Sequence, residues 1–356
     1  MNNSNNQQSQ FADPSEIVIQ KNLKNNPLLT QQESLEDNFG RHFEYLRLSI
    51  TDVCNFRCNY CLPDGYECNG ERDYLSLNEI QTLVSAFAQL GVKKIRITGG
   101  EPGLRKDLTD IIALCKQTEG IEKVALTTNG FNLSRQVEAW ANAGLDAINV
   151  SMDSLDARMF NSITGHQKHE QILQGLALAE QYGIKQIKVN AVLLKQFNVN
   201  QLSDFIAWLK DKSITVRFIE LMETGDNAEF FNANHVSGES IKQQLLNTGW
   251  LPAFGGKYSG PAQEFYHAEV KGKLGLIMPY SKDFCKSCNR LRVSAQGKLH
   301  LCLFAEQGID IRTYLQVEDI EGTRQALLAS MTTKTETHFL HNRETGITKH
   351  LAMLGG

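Results

Sequence analysis

Residues 46–61 have the sequence LRLSITDVCNFRCNYC. The alternation of apolar and polar residues over Leu46–Ile50 predicts a short β-strand, and three cysteines follow it with the spacing Cys-x-x-x-Cys-x-x-Cys. Thiolates at Cys54, Cys58 and Cys61 can hold three corners of a cuboidal iron–sulfur cluster and leave the fourth iron open to a substrate or cofactor. The alternatives fit less well, since structural zinc uses four closed ligands and three cysteines on a short loop make a poor disulfide framework.

This cysteine loop resembles the signature of the radical SAM superfamily, which has an aromatic residue just before the third cysteine, here Tyr60. The resemblance implies that the open iron binds the amino and carboxylate groups of S-adenosylmethionine. It also implies that reductive cleavage of this cofactor yields a 5′-deoxyadenosyl radical, and that Tyr60 takes part in binding the cofactor. The signature indicates a type of chemistry, and the rest of the chain has to indicate the substrate.

The composition is that of a globular protein. The chain has 356 residues, 41% of them hydrophobic, with a net charge of −4 and an isoelectric point near 6.2. Such a chain lacks the basic surface that nucleic acids require, and no apolar run is long enough to span a bilayer. Eight cysteines without an export signal indicate metal or redox chemistry in a reducing compartment. We therefore expect a cytoplasmic protein that binds neither nucleic acid nor membrane.

Three regions are predicted along the chain. Residues 1–40 begin with polar, low-complexity sequence and are expected to be a disordered tail, because they cannot bury enough apolar area to offset the entropy of ordering. A transit peptide is a weaker alternative, since arginine is scarce and Asp13 and Glu16 are present. Residues 41–225 are expected to form the core that carries the first cysteine loop. Residues 226–356 are expected to form a C-terminal region with more glycines, more prolines and shorter strands.

Strand-like and helix-like segments alternate regularly through the core. Predicted strands cover residues 46–50, 93–98, 124–127, 147–151, 187–192 and 215–220, and predicted helices cover 76–90, 107–118, 134–143, 170–182 and 200–210. This α/β alternation predicts a parallel sheet with right-handed crossovers, and six units are too few for a complete eight-stranded barrel. We expect an incomplete (βα)6 barrel of the TIM type, as in radical SAM enzymes. A C-terminal cluster-binding extension of short strands and helices should follow it.

Candidate site residues fall near the carboxyl ends of the predicted strands, where parallel α/β folds place their chemistry. Gly99–Pro102 follows the second strand. Its glycines would let backbone groups approach a ligand closely and Glu101 could receive an ammonium group, although an ordinary turn explains the segment about as well. The superfamily resemblance implies that the segment cradles the amino group of S-adenosylmethionine through Gly100. It also implies that Ser151 and Met222 bind this cofactor.

Several charged residues alternate along the predicted strands, and three cations among them are considered together: Arg47, Arg96 and Lys188. A cation inside an apolar strand costs several kcal/mol unless it is paired, and guanidinium groups match phosphate oxygens bidentately. A solvent-facing position would explain any one of them equally well. Three at similar depth favour an anionic ligand inside the barrel.

A second cysteine group lies in the C-terminal region. Two residues separate Cys285 from Cys288, and Cys302 follows a segment that predicts a hairpin turning at Gln296–Gly297. These thiols could hold another cluster, or they could form a Cys3His zinc site with His300, which would point to the same strand face as Cys302. The spacing alone leaves both interpretations open. The cysteines without a spacing partner, interpreted as incidental or buried thiols, are Cys68 and Cys115.

The two cysteine groups and the terminal Gly355–Gly356 together resemble the GTP 3′,8-cyclase family of radical SAM enzymes, which catalyse the first step of molybdenum-cofactor biosynthesis. The resemblance covers about residues 41–356 and includes TDVCNFRCNYCLP over residues 51–63. It implies a lyase that converts GTP to (8S)-3′,8-cyclo-7,8-dihydroguanosine 5′-triphosphate with S-adenosylmethionine and two 4Fe–4S clusters. The second cysteine group would then hold the second cluster, whose open iron the guanine base approaches, and His300 would not be a ligand.

The same resemblance implies roles for individual residues. Those expected to bind GTP are Arg47, Arg96, Thr127, Lys188, Arg290, Leu291 and Arg292. Arg290 and Arg292 would also act catalytically, by fixing the nucleotide near the open iron and stabilising charge on the attacked ring; a pair of solvated arginines on a hairpin edge is the alternative. Gly355 and Gly356, also expected to be catalytic, would insert into the barrel toward the radical site, because glycine suits a backbone that threads a narrow space.

The expected partners are an external electron donor, a second copy in a homodimer, and a cyclic pyranopterin monophosphate synthase that receives the product. A peptide-modifying radical SAM enzyme with an auxiliary cluster is the main alternative. It should lack the strand cations and the Gly-Gly tail. An iron–sulfur electron carrier or a zinc-stapled binding protein is the alternative from another class, and an electron carrier should not need the Gly99–Pro102 loop or a barrel.

Overall fold

The β-strands form one sheet, seen in a computed structural model that describes residues 33–67, 73–253 and 260–354. They are β1 (Tyr45–Ser49), β2 (Lys94–Thr98), β3 (Lys123–Thr128), β4 (Ala147–Ser151), β5 (Gln186–Leu193), β6 (Thr215–Glu220), β7 (Leu251–Ala253), β8 (Gln263–His267), β9 (Val270–Ile277), β10 (Arg290–Val293), β11 (Lys298–His300) and β12 (Ile309–Asp310). The helices are α1 (Leu77–Gln89), α2 (Leu108–Gln117), α3 (Leu133–Asn142), α4 (Ala157–Thr164), α5 (His169–Gln181), α6 (Leu202–Leu209), α7 (Ala228–Asn234), α8 (Gly238–Asn247), α9 (Arg312–Gln316) and α10 (Ile320–Met331).

Parallel strands make up the centre of this sheet. Its order is β12-β11-β10-β1-β2-β3-β4-β5-β6-β9-β8-β7, and every neighbouring pair from β10 to β9 is parallel. The order is open, since none of the strands in the described part of the chain joins β12 to β7. The predicted incomplete barrel of six βα units is confirmed. The C-terminal region extends it by one parallel strand on each side, which the alternation pattern did not predict.

Four of the helices in the described part of the chain begin at a residue whose side chain caps them, and α1 is an example. The Ser76 hydroxyl accepts a hydrogen bond from the Glu79 amide, and the Glu79 carboxylate accepts one from the Ser76 amide at 2.8 Å, which forms a capping box. The apolar residues Ile80, Leu83 and Phe87 recur at helical spacing and are fully buried in the core shared with the sheet. The amphipathic pattern that predicted this helix therefore also directs its buried face.

The two faces of the sheet differ chemically. On β2, Ile95 and Ile97 belong to the hydrophobic core, whereas Lys94 and Arg96 line a cavity on the opposite face, because side chains alternate along a strand. Lys94 and Arg96 are only 7% and 5% exposed. The solvent-facing explanation of the strand cations therefore does not apply here, and the charged face of the sheet encloses a site.

The described residues from Ser34 onward form one compact unit, and of the preceding unit, residues 1–33, the structure describes only Glu33. Leu35 is buried and Glu36 forms a β-bridge with His42, so the folded part begins before residue 41. The proposed boundary between residues 225 and 226 stays a prediction, because strands on both sides of it share one sheet. No helix among the described residues is long and apolar enough to cross a membrane.

Candidate active site

The first cysteine loop lies beyond the carboxyl end of β1. Cys54, Cys58 and Cys61, the proximal thiols, line one cavity, the proximal cavity. The Arg57 amide donates to the Thr164 carbonyl at 3.0 Å and fastens the loop to the end of α4. The loop is therefore held by backbone hydrogen bonds, and its three sulfur atoms share one space.

Phe56 anchors the same loop in the core. Its ring is 2% exposed, stacks on His166 with centroids 4.8 Å apart, and meets Phe131 and Phe160 edge-on. Buried aromatic contacts of this kind contribute beyond their apolar area. They fix the backbone between the first two proximal thiols.

Gly99 and Gly100 are required because the cysteine loop approaches them closely. A Cβ atom at Gly99 would lie 2.4 Å from the carbonyl oxygen of Thr51, and one at Gly100 would lie 2.3 Å from that of Val53. The Gly100 amide also donates to the Thr51 carbonyl at 2.9 Å. The missing side chains thus make room for protein backbone. Both glycines line the proximal cavity as well, so Gly100 remains a candidate cofactor contact.

Glu101 has a different role from the expected one. Its carboxylate accepts hydrogen bonds from the Gly103 amide and the Thr128 hydroxyl, both at 2.7 Å, and from the Asn129 amide at 2.6 Å. It is 1% exposed and does not line the proximal cavity, and its burial raises the pKa to about 7 despite these bonds. The expectation that Glu101 receives an ammonium group is therefore corrected: its carboxylate fastens the connection after β2 to the end of β3.

The other predicted cofactor contacts also lie around the proximal cavity: Tyr60, Ser151 and Met222. The Tyr60 hydroxyl donates to Asp153 at 3.0 Å, and Asp153 accepts the Val192 amide at 2.8 Å. Burial raises the pKa of Asp153 to about 6. The structure thus brings the predicted contacts together. The structure adds Asp153 to the lining of the proximal cavity. The position of Asp153 just after β4 could have indicated this.

The environment of the proximal thiols fits an iron–sulfur cluster. Burial raises the pKa of Cys61 to about 12, and burial together with the negative charge of Asp153 raises that of Cys58 well above its ordinary value. Thiolates in such surroundings need a neighbouring positive charge, which iron supplies.

Cys285, Cys288 and Cys302, the distal thiols, line a second cavity together. The Cys285 carbonyl accepts the Arg41 guanidinium at 3.0 Å. The buried Lys334 ammonium donates to the carbonyl of Leu301, the neighbour of Cys302 in the chain. Cations from distant parts of the sequence therefore surround this thiol group.

These surroundings favour the thiolate form at the distal site. Burial alone would raise the pKa of Cys285, but hydrogen bonds from His338 and Thr337 lower it to about 7. The pKa of Cys288 is also lowered, because the charges of Arg290 and Lys334 outweigh its burial. The distal thiols are therefore suited to ligate iron or another soft metal.

The zinc alternative at the distal site gains no support. His300 lines a different cavity from Cys302, so the two side chains do not converge. Over the three described ranges, no group of three or more His, Cys, Asp or Glu side chains is placed to hold a metal ion. The ligands of a four-iron cluster need not converge on one point, because each thiolate binds its own iron.

The second cavity, the cation cavity, has a volume of about 410 Å³. Nine cations line it in the described part of the chain: Arg47, Lys94, Arg96, Lys123, Lys188, Arg217, Lys273, Arg290 and Arg292. Glu264 lines it too, and its carboxylate accepts Lys188 and Arg217 at 2.8 Å each. Burial lowers the pKa of Lys94 to about 7 and that of Lys188 to about 8. A polyanion is the ligand that such a cavity fits.

The proximal cavity and the cation cavity adjoin each other. Four residues line both, namely Thr127, Asn190, Ile219 and Met222. A ligand held by the cations therefore meets a ligand held at the proximal thiols across this shared wall.

Most of the predicted ligand contacts reach the cation cavity. Arg47, Arg96, Thr127, Lys188, Arg290 and Arg292 all line it. Leu291 does not, because its side chain points to the other face of β10 and is buried in the hydrophobic core. We therefore assign no side-chain contact to Leu291. Gly355 and Gly356 lie outside the described residues, as does Cys68, and Cys115 is a buried free thiol.

The pattern analysis missed several charged residues of the cation cavity: Lys94, Lys123, Arg217, Lys273 and Glu264. Lys94 stands two residues before Arg96, so the strand alternation could have indicated it. Lys273 lies on β9, whose place beside β6 was not predicted.

Comparison with known proteins supports the two halves of this site. Residues 48–209 match the radical SAM superfamily, and residues 214–340 match a family described as Molybdenum Cofactor Synthesis C. The chain is 55% identical to a GTP 3′,8-cyclase of Psychromonas ingrahamii over 92% of this chain and 97% of that protein. It is 53% identical to one of Vibrio parahaemolyticus (91% and 98%) and 54% identical to one of Yersinia pestis (90% and 99%).

Solved structures resemble the fold at low sequence identity. SuiB of Streptococcus suis bound to S-adenosylmethionine superimposes with a TM-score of 0.59 and 14% identity, over 94% of this chain and 81% of that one. This structural likeness shows the fold alone. The sequence identities above 50% over nearly the whole length show the family. The chain belongs to the GTP 3′,8-cyclase family of radical SAM enzymes.

Proposed function

We propose that this protein converts GTP to (8S)-3′,8-cyclo-7,8-dihydroguanosine 5′-triphosphate by joining C3′ of the ribose to C8 of guanine. This is the first step of molybdenum-cofactor biosynthesis. One observation carries the proposal: in the described part of the chain, the distal thiols and nine cations line a single cavity, which shares a wall with the cavity of the proximal thiols. The triphosphate, the base and the cofactor can thus be held in adjoining spaces.

The residues fit the cofactors of the family. The proximal thiols would hold one 4Fe–4S cluster, with Tyr60, Gly100, Ser151 and Met222 around the S-adenosylmethionine bound to it, and the distal thiols would hold a second cluster. When bound, these groups supply the one-electron chemistry that begins at C3′. The chain's own task is to bring C3′ within reach and to keep competing reactants away.

The strand cations bind and orient the triphosphate. Arg96 is already fixed for this role, since its guanidinium donates to the Tyr45 hydroxyl and to the Thr127 hydroxyl at 3.1 Å. A side chain held in place loses little further entropy when it binds a phosphate. Arg47, Lys188 and Thr127 complete the predicted triphosphate contacts.

Arg290 and Arg292 hold the guanine end of the nucleotide. Both are on β10, only 8% and 7% exposed, and both line the cation cavity beside the distal thiols. Arg290 also lies over the Phe284 ring, 5.8 Å from its centroid. Two fixed positive charges at this end would stabilise negative charge that develops on the ring as C8 is attacked.

The proposal includes two partners: an external electron donor, and a cyclic pyranopterin monophosphate synthase that takes the product. It also includes a homodimer and a cytoplasmic location, which the family implies. The peptide-modifying alternative is less well supported. It rests on fold likeness at 14% identity, while the cyclases match at 51–55%.

Anaerobic incubation with S-adenosylmethionine, a reductant and GTP tests the proposal. We expect 5′-deoxyadenosine, identified by mass spectrometry, and a cyclised nucleotide that is an isomer of GTP. Because the isomer has the mass of GTP, it is separated from GTP by chromatography and identified by NMR. Formation of 5′-deoxyadenosine without any change in GTP would contradict the assigned substrate.

A further inference from the structure

Glu264 places a carboxylate among the cations that face the proposed nucleotide. Its Oε1 accepts Lys188 Nζ at 2.8 Å and Arg217 Nη2 at 2.8 Å. The three side chains are only 18%, 16% and 9% exposed. No other carboxylate lines the cation cavity in the described ranges.

This carboxylate is an anion at any physiological pH. Burial would raise its pKa, but the charges and hydrogen bonds of Lys188 and Arg217 lower it to about 2. One oxygen that accepts two charged N–H donors at 2.8 Å makes the same kind of contact that a phosphate oxygen makes with lysine and arginine. Glu264 therefore satisfies two of the cations in the way a phosphate would.

The surrounding backbone is shaped to allow this contact. Glu264 lies on β8, opposite Gly275 of β9. A Cβ atom at Gly275 would lie 3.1 Å from Cγ of Arg217 and 3.6 Å from Cγ of Glu264. The glycine thus leaves room for the two side chains to meet. Since β8 lies in the antiparallel hairpin at the edge of the sheet, Glu264 reaches the cavity from outside the parallel core.

We propose that Glu264 is a competing counter-ion, which exchanges with the triphosphate of the nucleotide for Lys188 and Arg217 and so sets the affinity of this phosphate subsite. The proposal rests on the proposed function. An intramolecular competitor lowers the apparent affinity of any ligand that has to displace it. It should not affect a ligand that lacks phosphate groups.

Glu264→Gln tests whether the negative charge of Glu264, and not merely the presence of a side chain at this position, lowers the affinity for triphosphate. The amide oxygen of glutamine can still accept Lys188 and Arg217, so both cations keep a partner, but the competing negative charge is gone. Glu269→Gln is the matched control, since Glu269 is exposed, lies on the turn of the same hairpin and undergoes the same change of charge. Glu264→Asp is a second variant, whose shorter side chain keeps the charge and withdraws it from the cations.

Binding of GTP, inorganic triphosphate and guanosine is measured by calorimetry on the anaerobically reconstituted protein. Glu264→Gln should bind GTP and inorganic triphosphate at least about fivefold more tightly, in the range of ordinary coupling between ligands. Glu264→Asp should show a smaller gain, while guanosine binding and the Glu269→Gln control should match the wild type.

Unchanged or weaker triphosphate binding by Glu264→Gln would overturn the proposal. Thermal unfolding of each variant shows whether it is folded. If Glu264→Gln is not folded, the triphosphate affinity of Glu264→Asp tests the proposal instead. A wild-type protein that does not bind GTP would refute the proposed function instead. The measurement with inorganic triphosphate would then still decide the role of Glu264.

Discussion

Arg47 and Arg292 lie side by side, in register on the neighbouring parallel strands β1 and β10. They are separated by more than 240 residues in the chain, yet both line the cation cavity. Burial, together with the charges of Arg292 and Arg96, lowers the pKa of Arg47 to about 9. Adjacent buried cations repel one another, and an anion between them relieves that repulsion. The pairing of β1 with β10 thus places a cation of the core beside a cation of the C-terminal region in one cavity lining.

The first prediction concerns Arg96, which lies in register with Arg47 on its other side. Arg96→Ala should weaken GTP binding by about 1.5–3 kcal/mol, roughly 10- to 150-fold, because one charge-assisted contact is lost. Binding of S-adenosylmethionine should not change, since Arg96 does not line the proximal cavity. Calorimetry with each ligand separates the two effects.

Arg135→Ala is the control for this substitution, because Arg135 is exposed on α3 and does not line the cation cavity. Thermal unfolding should accompany the measurement, since Arg96 also bonds Tyr45 and Thr127. Equal GTP affinity in a folded Arg96→Ala protein would assign Arg96 a purely structural role.

The barrel core could be predicted from sequence because its signals are local. Alternation with period two, helical spacing and caps such as Ser76 depend on neighbouring residues, and they placed the six core strands within about two residues. The two C-terminal strands that join the barrel edges could not be placed. Their partners, β1 and β6, are distant in the chain, and no short-range pattern specifies such pairing.

The parts of the site that belong to short sequence motifs could be predicted. The cysteine spacing indicated both thiol groups, but the direction of a charged side chain depends on the sheet around it. Lys123 and Arg217 became site residues only once the register of β3 and β6 was known. Glu101 shows the opposite error, since a motif residue with an expected ligand contact proved to be a buried brace.

The second prediction concerns the number of clusters. Two cubane clusters require about eight iron atoms per chain, so replacing both Cys285 and Cys288 with Ala should leave about four. The proximal thiols lie in a separate cavity and should keep their cluster. Iron and sulfide analysis after anaerobic reconstitution measures this.

Cys115→Ala is the matched control, because Cys115 is a buried free thiol that lines neither cavity. Its iron content should equal that of the wild type. Stoichiometric zinc in the wild-type protein, lost on replacing the distal cysteines, would contradict the assignment of a second cluster.

The third prediction concerns pH. The pKa is lowered to about 7 at Lys94 and to about 8 at Lys188, in both cases mainly by burial. Only the protonated forms attract phosphate, so affinity for GTP should be high below pH 7 and fall as the pH rises toward 9. Bound phosphate raises both pKa values, and binding should therefore take up protons.

Calorimetry in buffers of different ionisation enthalpy measures this uptake. Tyr45 also faces Lys94, but the nearby charges of Arg96, Lys94 and Arg47 outweigh its burial and lower its pKa to about 6, below the range in question. Lys94→Arg should flatten part of the pH profile, because arginine stays charged. An affinity that is constant from pH 7 to 9 would show that neither lysine titrates against the nucleotide.

The last prediction concerns the end of the chain. The carbonyl of Thr348 accepts the Gly225 amide at 3.0 Å, and the buried Thr348 hydroxyl donates to the carbonyl of Leu303, which lines the cation cavity. Beyond it, Leu351 and Ala352 line the proximal cavity beside Cys61. Residues 348–352 thus bond to the lining of the cation cavity at one end and line the proximal cavity at the other.

Deleting Gly355 and Gly356 should abolish cyclisation if the two glycines position the catalytic groups, which is the role that the family resemblance implies. Both clusters, the affinity for GTP and the basal cleavage of S-adenosylmethionine should persist. The deletion removes none of the residues proposed to bind the clusters, GTP or S-adenosylmethionine. Iron analysis, calorimetry and assay of 5′-deoxyadenosine against cyclised nucleotide distinguish the steps. A truncated protein that cyclises GTP at the wild-type rate would show that the two glycines have no part in the reaction. One that loses a cluster would instead assign the tail a structural role.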